Sequence, residues 1–202
     1  MGRDVGGTLI RWFAARGRDG GPPYPSVRDP TRDRARLPWA PFPTPARVMS
    51  PRFQPLAQAL ARHAHRRPDQ SGVVREFLDF LTSADSVFER RHVVGHFTGS
   101  AWIVSQDRQR VLLTHHRKLG LWLQPGGHAD GDADLAQVAL READEETGVP
   151  GLALEDGEIF DLDCHRIPPH RDDPEHLHYD VRYVVRAGSD ERFVVSEESH
   201  AL

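Results

Sequence analysis

The stretch that decides the fold is Gly126-Gly127-His128-Ala129-Asp130-Gly131-Asp132-Ala133-Asp134-Leu135-Ala136-Gln137-Val138-Ala139-Leu140-Arg141-Glu142-Ala143-Asp144-Glu145-Glu146-Thr147-Gly148-Val149. Asp134 can cap a helix start, Gln137 stands three residues on as in a capping box, and Gly148 can end the helix. A helix over about 135–147 is therefore predicted. At about 100° per residue, Glu142, Glu145 and Glu146 share one stripe. It borders the face made by Ala136, Ala139, Leu140, Ala143 and Thr147. Such a stripe can be a solvated acidic face, but three effects oppose that reading. Like charges at i,i+3 and i,i+4 repel by about 0.2–0.5 kcal/mol per pair. Glu145 and Glu146 lie in the last turn, where the helix dipole disfavours anions by about 0.3–1 kcal/mol each. The nearest cation, Arg141, pairs with Glu145 in the less favourable order. Acid that weakens its own helix fits a cation site, and hard oxygen donors suit Mg²⁺ or Mn²⁺. Gly126-Gly127 would let backbone approach a ligand with no Cβ in the way.

Around this segment the apolar period is that of strands. His96–Val104 and Arg110–Thr114 read as two strands joined at Asp107-Arg108, and Leu121-Trp122-Leu123 is a short apolar piece before the glycines. Strands are predicted again over Glu158–Ile167 and His176–Val185, with a short one over Arg192–Val195. The order is mixed α/β without an internal repeat. Upstream, Phe53, Leu56, Leu60 and His63 fall at helical spacing behind Ser50-Pro51, and Val74, Phe77, Leu78 and Leu81 repeat the pattern over Val73–Leu81. With Arg66-Arg67-Pro68 as the turn, this is a helical hairpin; it lacks the short glycine turn of a DNA-reading helix pair.

The first 50 residues differ from the rest. They hold eight of the sixteen prolines, and nine arginines against four aspartates give them +5. The chain's net −4 therefore leaves −9 for the remainder. Residues 1–48 are predicted to be a disordered, proline-rich arm, with Met49 as an alternative start. The remaining residues divide into a hairpin, 49–90, and an α/β domain, 91–202. With 202 residues, 28% of them charged, the whole chain is neither disordered nor strongly basic, so no nucleic-acid partner is expected. No apolar run approaches the roughly 20 residues of a membrane span, and no signal peptide is visible. The one cysteine, Cys164, fits a reducing, cytoplasmic setting.

Nine of the twelve histidines lie between His92 and His178. In a strand, His176, His178, Asp180 and Arg182 share one face, as do Asp161, Asp163 and His165 in the strand before. Those faces, with His115, His116 and His128, can line a substrate pocket or form one wet face of a hairpin. They can also make a transition-metal site, though no thiolate or fixed ligand spacing supports that. Arg182 and His128 would suit phosphate oxygens. Trp122 can stack on a base or pack in the core, and Cys164 reads as a buried strand residue without a base partner.

The segment Gly127-x5-Ala133-x7-Arg141-Glu142-Ala143-x-Glu145-Glu146-x-Gly148-Val149 resembles the box of the Nudix hydrolases. It departs at Ala133, where the family has a glutamate. Gly95–Trp102, Leu113–His116 and Trp122–His128 are similar to a histidine-rich subgroup of that family, and the resemblance covers about residues 50–202. It implies an α/β/α sandwich on a mixed sheet, and Mg²⁺- or Mn²⁺-dependent hydrolysis of a nucleoside diphosphate linked to another moiety. Glu145 and Glu146 match the metal-binding glutamates, Glu142 a metal ligand or base, Arg141 the orienting arginine and Gly127 a metal-binding carbonyl. Glu198 matches a further ligand of some members, and the substitution at Ala133 bears on a second or third metal. Asp132 and Asp134 could replace that glutamate after a small loop shift. His128, His176, His178, Asp180 and Arg182 are the expected substrate contacts. Members usually continue past Ser196-Glu197-Glu198 with a tryptophan-bearing strand and a helix. The C-terminus is therefore read as truncated, leaving sheet for a homodimer to cover. The alternative is a Nudix-fold module that binds a nucleotide without turnover; an isomerase on this fold would need a cysteine at the site.

Overall fold

A computed structural model describes residues 9–14, 49–116, 121–170 and 173–193. After a 3-10 turn, Pro51–Phe53, come α1 (Gln54–Arg66) and α2 (Ser71–Leu81). The strands are β1 (Leu9–Ala14), β2 (Gly95–Val104), β3 (Arg110–His116), β4 (Leu121–Leu123) and β5 (Gly126–His128), then β6 (Ala153–Ile167) and β7 (His176–Arg186). Helix α3 spans Leu135–Thr147 between β5 and β6. All seven strands form one sheet in the order β1-β3-β2-β7-β6, with β4 on β3 and β5 on β2. Only β2 and β7 run parallel; every other pair is antiparallel. The mixed sheet with flanking helices agrees with the α/β/α architecture.

Helix α3 has the predicted bounds and caps. The Asp134 carboxylate accepts from Gln137 N at 3.2 Å, and Gly148 ends the helix at φ +58°. Leu135, Val138, Ala139 and Ala143 meet the buried face of β2, where Gly99 lets the helix approach. A Cβ there would overlap the Leu135 carbonyl. The hairpin α1–α2 joins the same core through Phe53, Leu56, Leu60, Phe77, Phe80 and Leu81. Buried His63 fixes it to β6, with Nδ1 2.9 Å from the Ile159 carbonyl. Opposite strand faces carry a smaller cluster of Trp102, Val104, Val111 and Leu113. Partly buried Trp122 packs on that cluster. No described helix is long and apolar enough to cross a membrane.

Three expectations change. Leu9–Ala14, read as part of a disordered arm, pairs antiparallel with β3 along six residues. Its run Leu-Ile-Arg-Trp-Phe-Ala is β-prone, and it takes the edge of β3 opposite β2 and β4. The remainder of the arm lies outside the described residues. Gly126-Gly127, expected only as a glycine approach to a ligand, form with His128 a strand on β2. Arg192 and Phe193 are not in a strand, and Val194, Val195 and Glu198 lie outside the described residues.

Candidate active site

The acidic stripe of α3 lies against β5. Glu146 Oε1 accepts from Gly126 N at 3.0 Å, and among the described residues it has no ion pair. Burial pushes its carboxyl up to about 7, against the pull of the Gly126 bond; Glu142 and Glu145 add repulsion. Burial also raises Glu142, although Arg141 donates to its Oε1 at 3.1 Å. Arg141 ties the two elements together by donating to the His128 carbonyl at 3.2 Å, and it stands 3.8 Å from exposed Glu145.

Gly127 makes this contact possible. A Cβ there would overlap the Glu142 carboxylate. The obstructing atoms end a flexible side chain, so Gly127→Ala should turn the Glu142 carboxylate aside and cost about 1 kcal/mol, the low end for overpacking. Adding Glu142→Ala should recover most of that loss in a denaturant double-mutant cycle. An equal cost in both backgrounds would place the strain elsewhere.

Ala133 packs on the core. Its flanking acids serve the turn: Asp132 Oδ1 accepts from Asp134 N at 2.9 Å, while Asp134 caps α3. In this structure both are engaged in the turn and the cap.

The sheet's other face carries a polar array. The alternation expected in β7 holds: Leu177, Tyr179, Val181 and Tyr183 enter the core, and His176, His178, Asp180 and Arg182 take the other side. In β6, a register shift between Ile159 and Asp161 sends Ile159 to the core and Asp161 to the polar face. Arg182 donates to Asp180 at 2.9 Å, Asp163 at 2.7 Å and Asp161 at 3.1 Å. Asp180, 2% exposed, also accepts from Thr98 at 3.0 Å and Ser100 at 2.7 Å. Asp180 and Arg182 were expected to contact substrate; here they are the centre of an internal ion cluster. A guanidinium facing three carboxylates across adjacent strands binds them before it can meet an external anion.

Beside this cluster five imidazoles gather. His96 has ring contacts with His128, His176 and His178 at 4.9, 5.0 and 4.8 Å, and His165 lies 5.5 Å from His178. Burial, with neighbouring charges secondary, pushes His96 down to about 3, His128 to about 4 and His178 to about 2. His165 goes the other way. Burial would lower it, but Asp163 at 3.3 Å and the charges of Asp180 and Asp163 outweigh that. His115, expected in the same pocket, packs on Trp122 at 5.1 Å instead. His96 was not among the expected site residues; its alternation with Thr98 and Ser100 is visible in the sequence, but its pairing with His178 across parallel strands is not. Cys164 is a half-buried strand residue paired with Tyr179, and burial raises its thiol, as suits a group that packs rather than reacts.

The model of the NUDIX domain family matches residues 95–201. Among solved structures, the chain is similar to a hydrolase, NUDIX family, from Clostridium perfringens. Identity is 22%, the TM-score 0.37, and the match covers 50% of this chain and 74% of that one. No curated protein matches.

Proposed function

The chain belongs to the NUDIX domain family, and on that premise we propose a hydrolase that cleaves a nucleoside diphosphate linked to another moiety with the help of Mg²⁺ or Mn²⁺. The observation that carries this reading is Glu146, a carboxylate held in place by Gly126 N while burial and two neighbouring glutamates oppose its ionisation. The donor set fits a hard cation: Glu142, Glu145 and Glu146 offer oxygens beside Gly127, where a Cβ would fill the space taken by Glu142. We assign the ion to these three carboxylates and the Gly127 carbonyl. The chemistry a bound ion supplies is neutralisation of diphosphate charge and a lower pKa for a bound water.

The chain's own groups do the rest. Gly126 N–H orients Glu146, and Arg141 orients Glu142 while anchoring β5 to α3. A glutamate of this set takes the proton of the attacking water; Glu142 and Glu146 suit it because burial raises both towards the working pH. Attack at phosphorus then breaks the anhydride bond. His128, one residue beyond Gly127, turns its ring to His96 and His178 on the other side of the strand, so it takes no part in this step.

The test is a hydrolysis screen with Mg²⁺ or Mn²⁺ over nucleoside triphosphates, ADP-ribose, NADH, dinucleoside polyphosphates and CoA. Turnover of at least one that stops on chelation is the expected result. Nucleotide binding with no turnover on any would instead favour the non-catalytic module, which the alanine at 133 makes a definite alternative.

A further inference from the structure

We propose that His96, His176 and His178 form a second metal site, for a transition cation of the Zn²⁺ class, on the sheet face opposite the glutamates. One ligand nitrogen from each of these side chains lies within 4.8 Å of the other two. The two sites are distinct. Gly127 and His128 are neighbours in β5, yet position 127 faces Glu142 whereas the His128 ring meets His96 and His178.

The hydrogen bonds point to a cation. His176 Nδ1 lies 2.8 Å from the Pro174 carbonyl, an acceptor only, so Nδ1 carries the proton and Nε2 keeps its lone pair. That is the outer-shell bond that metal-ligating histidines make. His176 Nε2 faces His178 Nε2 at 3.3 Å. Two lone pairs cannot meet at that distance unless a proton or a cation lies between them. Ligand nitrogens about 2.0–2.1 Å from a tetrahedral Zn²⁺ are themselves about 3.3 Å apart. His96 separates the two possibilities. It is 2% exposed, and among the described residues neither of its ring nitrogens has a hydrogen-bond partner. A buried imidazole in that state is costly, and a proton shared by His176 and His178 does nothing for it. A cation taking all three would satisfy one of its two nitrogens.

The ligand chemistry sets the class. Three imidazoles without a carboxylate favour Zn²⁺ and its late first-row neighbours over Mg²⁺, Mn²⁺ or Ca²⁺. The frame is stiff: His96 and His178 are register partners in the parallel β2–β7 pair, and His176 is one alternation along β7. Three protein ligands leave a position for water or an anionic group.

Zn²⁺ alone, titrated calorimetrically into the metal-free full chain in excess Mg²⁺, tests this. Wild type should bind one Zn²⁺ per chain at this site, and Glu146→Gln should bind it equally well. His176→Ala, at the half-buried rim, and His178→Ala should each weaken binding about 100-fold or more. Co²⁺ in the intact wild type should give visible d–d bands that Zn²⁺ removes, a readout independent of how any variant folds. The proposal is overturned if wild type takes up no Zn²⁺, if folded histidine variants bind like wild type, if Glu146→Gln abolishes binding, or if Co²⁺ gives no such bands.

Discussion

On the proposed diphosphate substrate, Glu146→Gln should lower kcat/KM by about 10³-fold or more and, in the same protein, raise the stability of the metal-free fold at pH 8. The two effects have one cause. The Glu146 carboxyl titrates at about 7 in the fold against an ordinary 4.5, because burial and the charges of Glu142 and Glu145 disfavour the anion. Between those values the folded state holds a proton that the unfolded chain has released. The carboxyl's stabilising contribution is therefore complete below about 4.5 and is lost as pH rises through about 7. Above that, ionised Glu146 costs the metal-free fold up to about 3 kcal/mol, which a neutral glutamine avoids. Urea unfolding with a chelator present, at pH 5 and pH 8, reads this directly. The gap between variant and wild type should open with pH, and added Mg²⁺ should stabilise wild type more than the variant. Retained hydrolysis in the variant would remove Glu146 from the metal site. A gap that does not change with pH would remove the buried-charge explanation.

Arg182→Met should destabilise the chain by about 3–5 kcal/mol, the range for breaking a buried ion pair from one side. Its side chain is 18% exposed, while those of Asp180 and Asp163 are 3% and 8% exposed. Without the guanidinium, three carboxylates face one another across β6 and β7, with the His165 ring beside Asp163. Adding Asp163→Asn should therefore return part of the loss, as should mildly acid pH, where a carboxylate can protonate. Urea midpoints of the three proteins check this. A small change in stability with a large rise in KM would instead put Arg182 against substrate.

The two predictions concern groups that were legible to different degrees. Helix α3 could be read with its caps because capping, period and like-charge repulsion act within a few residues of each other along the chain. Its glutamates are thus candidates from the sequence alone, and the match to the NUDIX domain over residues 95–201 includes the same segment. The one-sided polar face of β7 was legible for the same reason, since strand alternation is local. What occupies that face was not. Arg182 in isolation looks like a phosphate ligand; three carboxylates, two of them on β6, make it a structural cation.

The sequence by itself determined the local objects: the capped acidic helix, the alternating strands and the amphipathic hairpin. The tertiary structure alone decided which of them meet. It set Gly127 against Glu142 by pairing β5 with β2, and it gave Leu9–Ala14 a place on β3. It also carried His96 to His178 through the parallel β2–β7 ladder. Periodicity and capping are short-range, so one sequence window contains them. Strand partners and register come from burying a common core between segments far apart in the chain, and no single window holds both sides of that contact.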